Sequence, residues 1–146
     1  MISGIAVTEQ TITFPNGFVG IPDWREFVLS RVEERPRLWT LQHMENPEVC
    51  FVLMEPFAEG LDYAPALTDG DLAALGAPSV RDVNVYCTVR LDEASGGLTA
   101  NLLGPLFINR STGLGVQVVL YDSGYETAHP VQLAEPSSAP VAAGRA

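Results

Sequence analysis

A mostly-β, single-domain fold, a small antiparallel β-barrel-like sheet with one or two short helices, is predicted by three features of the sequence. The stretch DVNVYCTVRL (82–91) alternates apolar and polar residues with a period of two, the pattern of a strand with one face on a core. Short apolar runs recur along the chain between turns that carry Gly, Pro or Asn, as in small barrels and sandwiches. Against these, LTDGDLAALGAP (67–78) is the one stretch with helix signals.

Taken in order, GIAVT (4–8) and TITF (11–14) resemble a first hairpin, and FPNG (14–17) closes on an Asn-Gly turn. REFVLSRV (25–32), RLWTLQHM (37–44) and EVCFVLM (48–54) supply three further strands, the last two separated by Asn46-Pro47. The helix has Thr68 as N-cap, with Asp69 and Asp71 at the positive end of its dipole. Leu72 and Leu75 share a face, Gly76 suits the position past the end, and Pro78 blocks continuation. So short a helix is expected to cover an open edge or end of the sheet.

In the strand that follows, Val83, Val85, Cys87, Val89 and Leu91 share the face expected on the core, with Tyr86 on the other. DEASGG (92–97) leads into LTANLLGPLFIN (98–109), where Asn101 and Asn109 bracket Gly104-Pro105. That pair should bend the strand, and the two amides are expected to hydrogen-bond backbone at the bend. A turn, RSTGLG (110–115), precedes a last strand, VQVVLYD (116–122). From Glu135 the chain reads EPSSAPVAAGRA, without an aromatic or long apolar anchor. The folded domain is therefore expected over 1–133 and a disordered tail over 134–146.

The chain has 146 residues, with 18 acidic side chains against 8 basic ones, all of them Arg. A net charge of −10 disfavours nucleic acid or an anionic membrane as partner, because phosphate contacts need clustered Lys and Arg. It suits a basic protein partner or a well-solvated surface. Cys50 and Cys87 lie in apolar runs and are expected as buried free thiols. The start, MISGIAV, shows no signal peptide, and no apolar run reaches the roughly 18 residues of a membrane span, so a cytoplasmic location is expected.

Catalytic signatures are poor. His43 and His129 are far apart, and neither CxxC nor HExxH occurs. There is no GxSxG elbow, and GLG at 113–115 lacks the third glycine and the helix of a phosphate-cradling loop. No metal or cofactor is implied. One constellation, Asp122, Glu126 and His129, could sit at the mouth of a barrel that binds or hydrolyses a small ligand. Another, the loop with Phe57, Glu59, Asp62 and Tyr63, sets aromatic rings among carboxylates and could meet a partner with basic and apolar groups. Trp24 and Trp39 read as core or rim aromatics.

The ordered motifs resemble one family, the flagellar assembly factor FliW. They are TITFPNG, GIPDWREFVL, LWTLQ, ENPEVCFVLMEPF, the DY of LDYAP, the acidic helix, VNVYCTVRL, LTANLLGPLFIN and GVQVVLYDSGYETAHPV. They run in the family's order from about Gly4 to Val131. The resemblance implies a small antiparallel β-barrel-like fold and a non-enzymatic regulator; an isolated barrel with covered edges would be a monomer, whereas an exposed edge strand could pair. Its implied partners are flagellin and the RNA-binding carbon storage regulator CsrA. Held by free flagellin, such a protein leaves the regulator to repress flagellin translation; released as flagellin is exported, it sequesters the regulator. Partner contacts are expected at Phe57, Glu59, Asp62, Tyr63, Asn101 and Asn109. The loop after Asn109, RSTGLGVQ, departs from relatives, which usually carry several Lys and Arg there.

Overall fold

A computed structural model describes residues 9–33, 35, 37–57 and 62–132. Glu59, the segment GIAVT and the 134–146 tail lie outside the described residues. Four strands, β1 (Glu9–Thr13), β2 (Glu26–Arg31), β3 (Leu38–His43) and β4 (Cys50–Met54), form an antiparallel meander. Val52–Met54 of β4 then pair with Val89–Cys87 of the long β5 (Asn84–Asp92). The opposite edge of β5 is shared by two strands: β6 (Gly97–Ala100) lies along its end and β7 (Leu106–Asn109) along its start. β7 pairs with β8 (Leu114–Gln117), and a single parallel bridge, Thr13 to Leu114, returns β8 to β1. The ring β1-β2-β3-β4-β5-β7-β8 is closed, while β6 and β9 (His129–Val131) form a flap beside it.

Closure creates an inside, and the inside is aromatic. Phe14, Phe18, Phe27, Trp39 and Tyr86 pack there with Ile12, Leu29, Leu41, Leu53 and Leu106. Neighbouring rings meet tilted or edge-on, Phe14 to Phe27 at 5.7 Å and Trp39 to Tyr86 at 5.7 Å, arrangements their quadrupoles favour. The guanidinium groups of Arg31 and Arg110 sit 4.8 and 4.9 Å from the centre of the Trp39 ring, whose Nε1 donates to Glu55. Burial pushes the Tyr86 hydroxyl up to about 12, with the Arg110 guanidinium opposing the shift.

Tyr86 overturns the expected orientation of β5. It points into the barrel, whereas Cys87 faces outward into a second apolar layer with Tyr63, Ala100, Leu102 and Leu120. Leu91, expected on the core, is 63% exposed. Alternation separates the two faces of a strand but cannot say which is interior when a second layer covers the outside. Cys50 is a further correction. Both thiols are free, but Cys50 shares the outward positions of β4 with Val52 and is exposed.

The helix α1 (Asp69–Ala74) forms as its residues indicate. Thr68 Oγ1 accepts from Asp71 N, and Asp71 Oδ2 accepts from Thr68 N, a reciprocal capping box. It lies over the outer face of β7 and β8, where Leu75 and Ala77 cover Phe107, and not over a sheet edge as expected; the closed ring leaves none there. The expected strand 116–122 stops at Gln117. No helix among the described residues is long and apolar enough to cross a membrane.

Candidate functional site

The segment LTANLLGPLFIN is the corner at which the chain passes from β6 to β7 along one edge of β5. Asn101 N still continues the ladder by donating to Thr88 O at 2.9 Å. Its side chain then makes the bend, Oδ1 accepting from Leu103 N at 3.1 Å and Gly104 N at 2.9 Å. Gln117 Nε2 donates to Gly104 O at 3.1 Å, and a Cβ on Gly104 would stand 3.1 Å from that same nitrogen. Glycine therefore suits this close approach.

At the far end of β7, Asn109 is 2% exposed, and both polar atoms of its side chain are hydrogen-bonded. Nδ2 donates to Leu75 O at 3.0 Å, and Oδ1 accepts from Ser111 N at 3.0 Å. Thr112 Oγ1 donates to the same Leu75 carbonyl at 2.9 Å. Two side chains thus satisfy a carbonyl at the end of α1 that the helix itself leaves open. Both asparagines act on backbone within the fold.

The corner also gathers the outer loops. Leu102 N and Leu103 N both donate to Glu126 O, at 2.9 and 3.2 Å, and Leu103 O accepts from Leu120 N at 2.8 Å. The Tyr63 hydroxyl, buried, donates to Leu102 O at 2.6 Å. Burial raises the Tyr63 hydroxyl far above its usual range and pushes the neighbouring Cys87 thiol up to about 12, its hydrogen bond with Tyr63 opposing. Tyr125 crosses Tyr63 edge-on at 4.7 Å, and its hydroxyl accepts from Ala64 N at 2.9 Å. The ring of Phe57 lies 6.3 Å from that of Tyr63 and is 55% exposed.

These contacts join Tyr63 to Phe57 and to Tyr125, and the loop that carries Tyr125 also carries Tyr121, Asp122 and Glu126. Asp62, Asp122 and Glu126 are exposed. The sequence reading missed Tyr121 and Tyr125 because their loop is some sixty residues from Tyr63. The aromatic and acidic make-up the two loops share was the available signal.

The small-ligand arrangement does not form in the groove where β4 and β5 part. That groove, of about 910 Å³, has Thr127, Ala128 and Pro130 on one wall, while Asp122, Glu126 and His129 do not line it. Among the described residues no group of three His, Cys, Asp or Glu could hold a metal ion. His43 is buried, its Nδ1 accepting from Glu45 N and Asn46 N at 3.1 Å each, so it serves the β3–β4 turn.

Comparison with known proteins agrees with this architecture. The model of the FliW protein family matches residues 4–131. A flagellar assembly factor FliW from Exiguobacterium is 37% identical over 122 residues, covering 84% of this chain and 83% of the relative. That of Bacillus licheniformis is 33% identical over 123 residues, covering 84% and 86%, and that of Treponema denticola 32% over 131 residues, covering 90% and 88%. A crystal structure of the flagellar assembly factor FliW superposes with a TM-score of 0.75 at 32% identity, covering 82% of this chain and 84% of the other.

Proposed function

The chain belongs to the FliW family of flagellar assembly factors, matched over residues 4–131, and from that membership we propose that it is a non-enzymatic regulator that exchanges two protein partners. The partners are flagellin and the translational regulator CsrA. While bound to unexported flagellin the protein leaves CsrA free to repress flagellin translation. When export removes flagellin, the protein takes up CsrA and translation resumes. The exchange places it in the cytoplasm, where translation occurs.

The observation that carries this reading is the family match across the whole described barrel, from β1 to β9. The charge supports it: a chain of net charge −10 is steered toward an RNA-binding, hence basic, protein and repelled by the RNA itself. The closed ring and Pro130, which removes a donor from the middle of β9, favour a monomer that presents faces rather than edges.

The test is calorimetric titration of the purified chain with the CsrA and then the flagellin of the same cell. Binding to both, with flagellin displacing CsrA, is the expected outcome. Heat with neither partner would overturn the proposal.

A further inference from the structure

Between β4 and β5 the ring is closed along only part of its length. Their ladder runs from Met54–Cys87 to Val52–Val89 and stops there, although β4 extends as strand to Cys50 and β5 to Asp92. Alternation fixes what the gap leaves open. Thr88 turns its carbonyl toward the β6 side, where it accepts from Asn101 N, so Cys87, Val89 and Leu91 turn their backbone groups toward β4. Val49 O accepts from His43 N of β3, so Cys50 and Val52 turn theirs toward β5. Cys50 and Leu91 would be the next pair to exchange two hydrogen bonds, and the strands part before they meet. Both residues are exposed, Leu91 by 63%.

This fork opens into the groove of about 910 Å³. Val19, Ile21, Val52 and Leu91, all exposed, line it together with Trp24 and Phe51, so apolar surface flanks the two bare edges. The lining holds one cation, Arg90, and one anion, Asp92. Asp92 is already engaged, Oδ1 accepting from Ala94 N at 3.3 Å and Oδ2 from Ser95 Oγ at 2.9 Å. The Arg90 side chain is exposed and makes no hydrogen bond or ion pair among the described residues. In a chain of net charge −10 the groove thus presents a positive group with no counter-charge.

We propose that the fork is a docking site for an extended protein segment, which adds a strand between β4 and β5. Its backbone pairs with Cys50 on one side and Leu91 on the other, parallel to one strand and antiparallel to its neighbour. Its side chains alternate between the two faces of the sheet, meeting Val52 and Leu91 on one and Phe51 and Arg90 on the other. Charge complementarity sets the chemistry of the segment. It is apolar and β-branched with one Asp or Glu opposite Arg90, where a Lys or Arg would meet a like charge. Strands flank the opening on both sides, so it admits one extended segment and not the edge of another sheet. The site goes beyond the partner-exchange reading and does not depend on it.

The probe is a fluorescent, acetylated peptide, Thr-Val-Leu-Val-Glu-Val-Thr, titrated into the full-length chain and followed by anisotropy. Cys50 gives a second readout, because an alkylating reagent reaches it while Cys87 is 0% exposed. Saturating peptide is expected to slow alkylation of Cys50 at least about tenfold. Lys in place of the peptide's Glu should weaken binding at least about tenfold, and Arg90→Glu in the chain should reverse that preference at unchanged melting temperature. N-methylation of the peptide's Val residues, which removes ladder donors on one side, should abolish binding. Binding that leaves Cys50 unprotected would put the peptide elsewhere and overturn the proposal. So would no binding, equal binding of the Glu and Lys peptides, or full binding of the N-methylated one. The comparison of peptides needs no variant of the chain. Each of these failures leaves the exchange of flagellin and CsrA standing, since its own titration uses neither peptide.

Discussion

Asn101 shows what one side chain holds. Its Oδ1 accepts two backbone donors, Leu103 N and Gly104 N, at the bend between β6 and β7. Asn101→Ala leaves both donors without that acceptor. A loss of about 1–3 kcal/mol is expected, read as a lower thermal midpoint, while Asn101→Asp keeps the acceptor and most of the stability. A variant of full stability that merely lost its partner would contradict this. The role was legible because a polar amide inside an apolar run needs a partner, and the adjacent Gly104-Pro105 places the nearest free backbone groups. Tyr86 was not legible. Its phenol made it look like the wet face of β5, yet its ring fills the barrel against Trp39, with Arg110 near its hydroxyl.

Among elements, α1 was readable to the residue because capping chemistry is local: Thr68 and Asp71 find each other three positions apart. β8 was not, because its end is set by what lies beside it. The apolar run from Val116 continues to Leu120, but pairing with β7 ends at Gln117, and the chain then leaves the ladder for the corner. Within β8, Gly115 meets the ring of Phe14, a Cβ there standing 2.7 Å from Cε2. Phe14 is fully buried and wedged against Phe18 and Phe27 at 5.1 and 5.7 Å, so it has nowhere to yield. Gly115→Ala is expected to cost about 1–3 kcal/mol, measured as a lower urea midpoint.

For the whole molecule, burial sets an alkaline limit. Tyr63, Tyr86 and Cys87 all have hydroxyl or thiol groups raised by desolvation, the last two to about 12. The unfolded chain releases these protons near the ordinary values of 9.0 for the thiol and 10.0 for the phenols. Unfolding is therefore favoured once pH exceeds the unfolded values, so this stability is complete below about pH 9 and is lost as pH rises toward 12. Urea midpoints between pH 7 and 12 should show that fall, and Cys87→Ala should move its onset toward about pH 10. The β class of the molecule was legible from alternation and turns. Closure was not, since it depends on Thr13 meeting Leu114 across 101 positions (114 − 13), and local pattern holds no such information.

That single parallel bridge also orders events in time. A chain emerging from its N-terminus completes β1 to β4 early, but among the described residues the outer edge of β1 has no neighbour until residues 114–117 have been made. From the completion of β4 until residues 114–117 have been made, β5 to β7 extend the nascent sheet only at its other end. Among the described residues the β1 edge thus stays bare and the ring stays open, the form of sheet most prone to pair with the wrong strand. A product cut short before Leu114 would keep that form permanently, so an intact 3′ part of the message protects the first strand as much as it supplies the last.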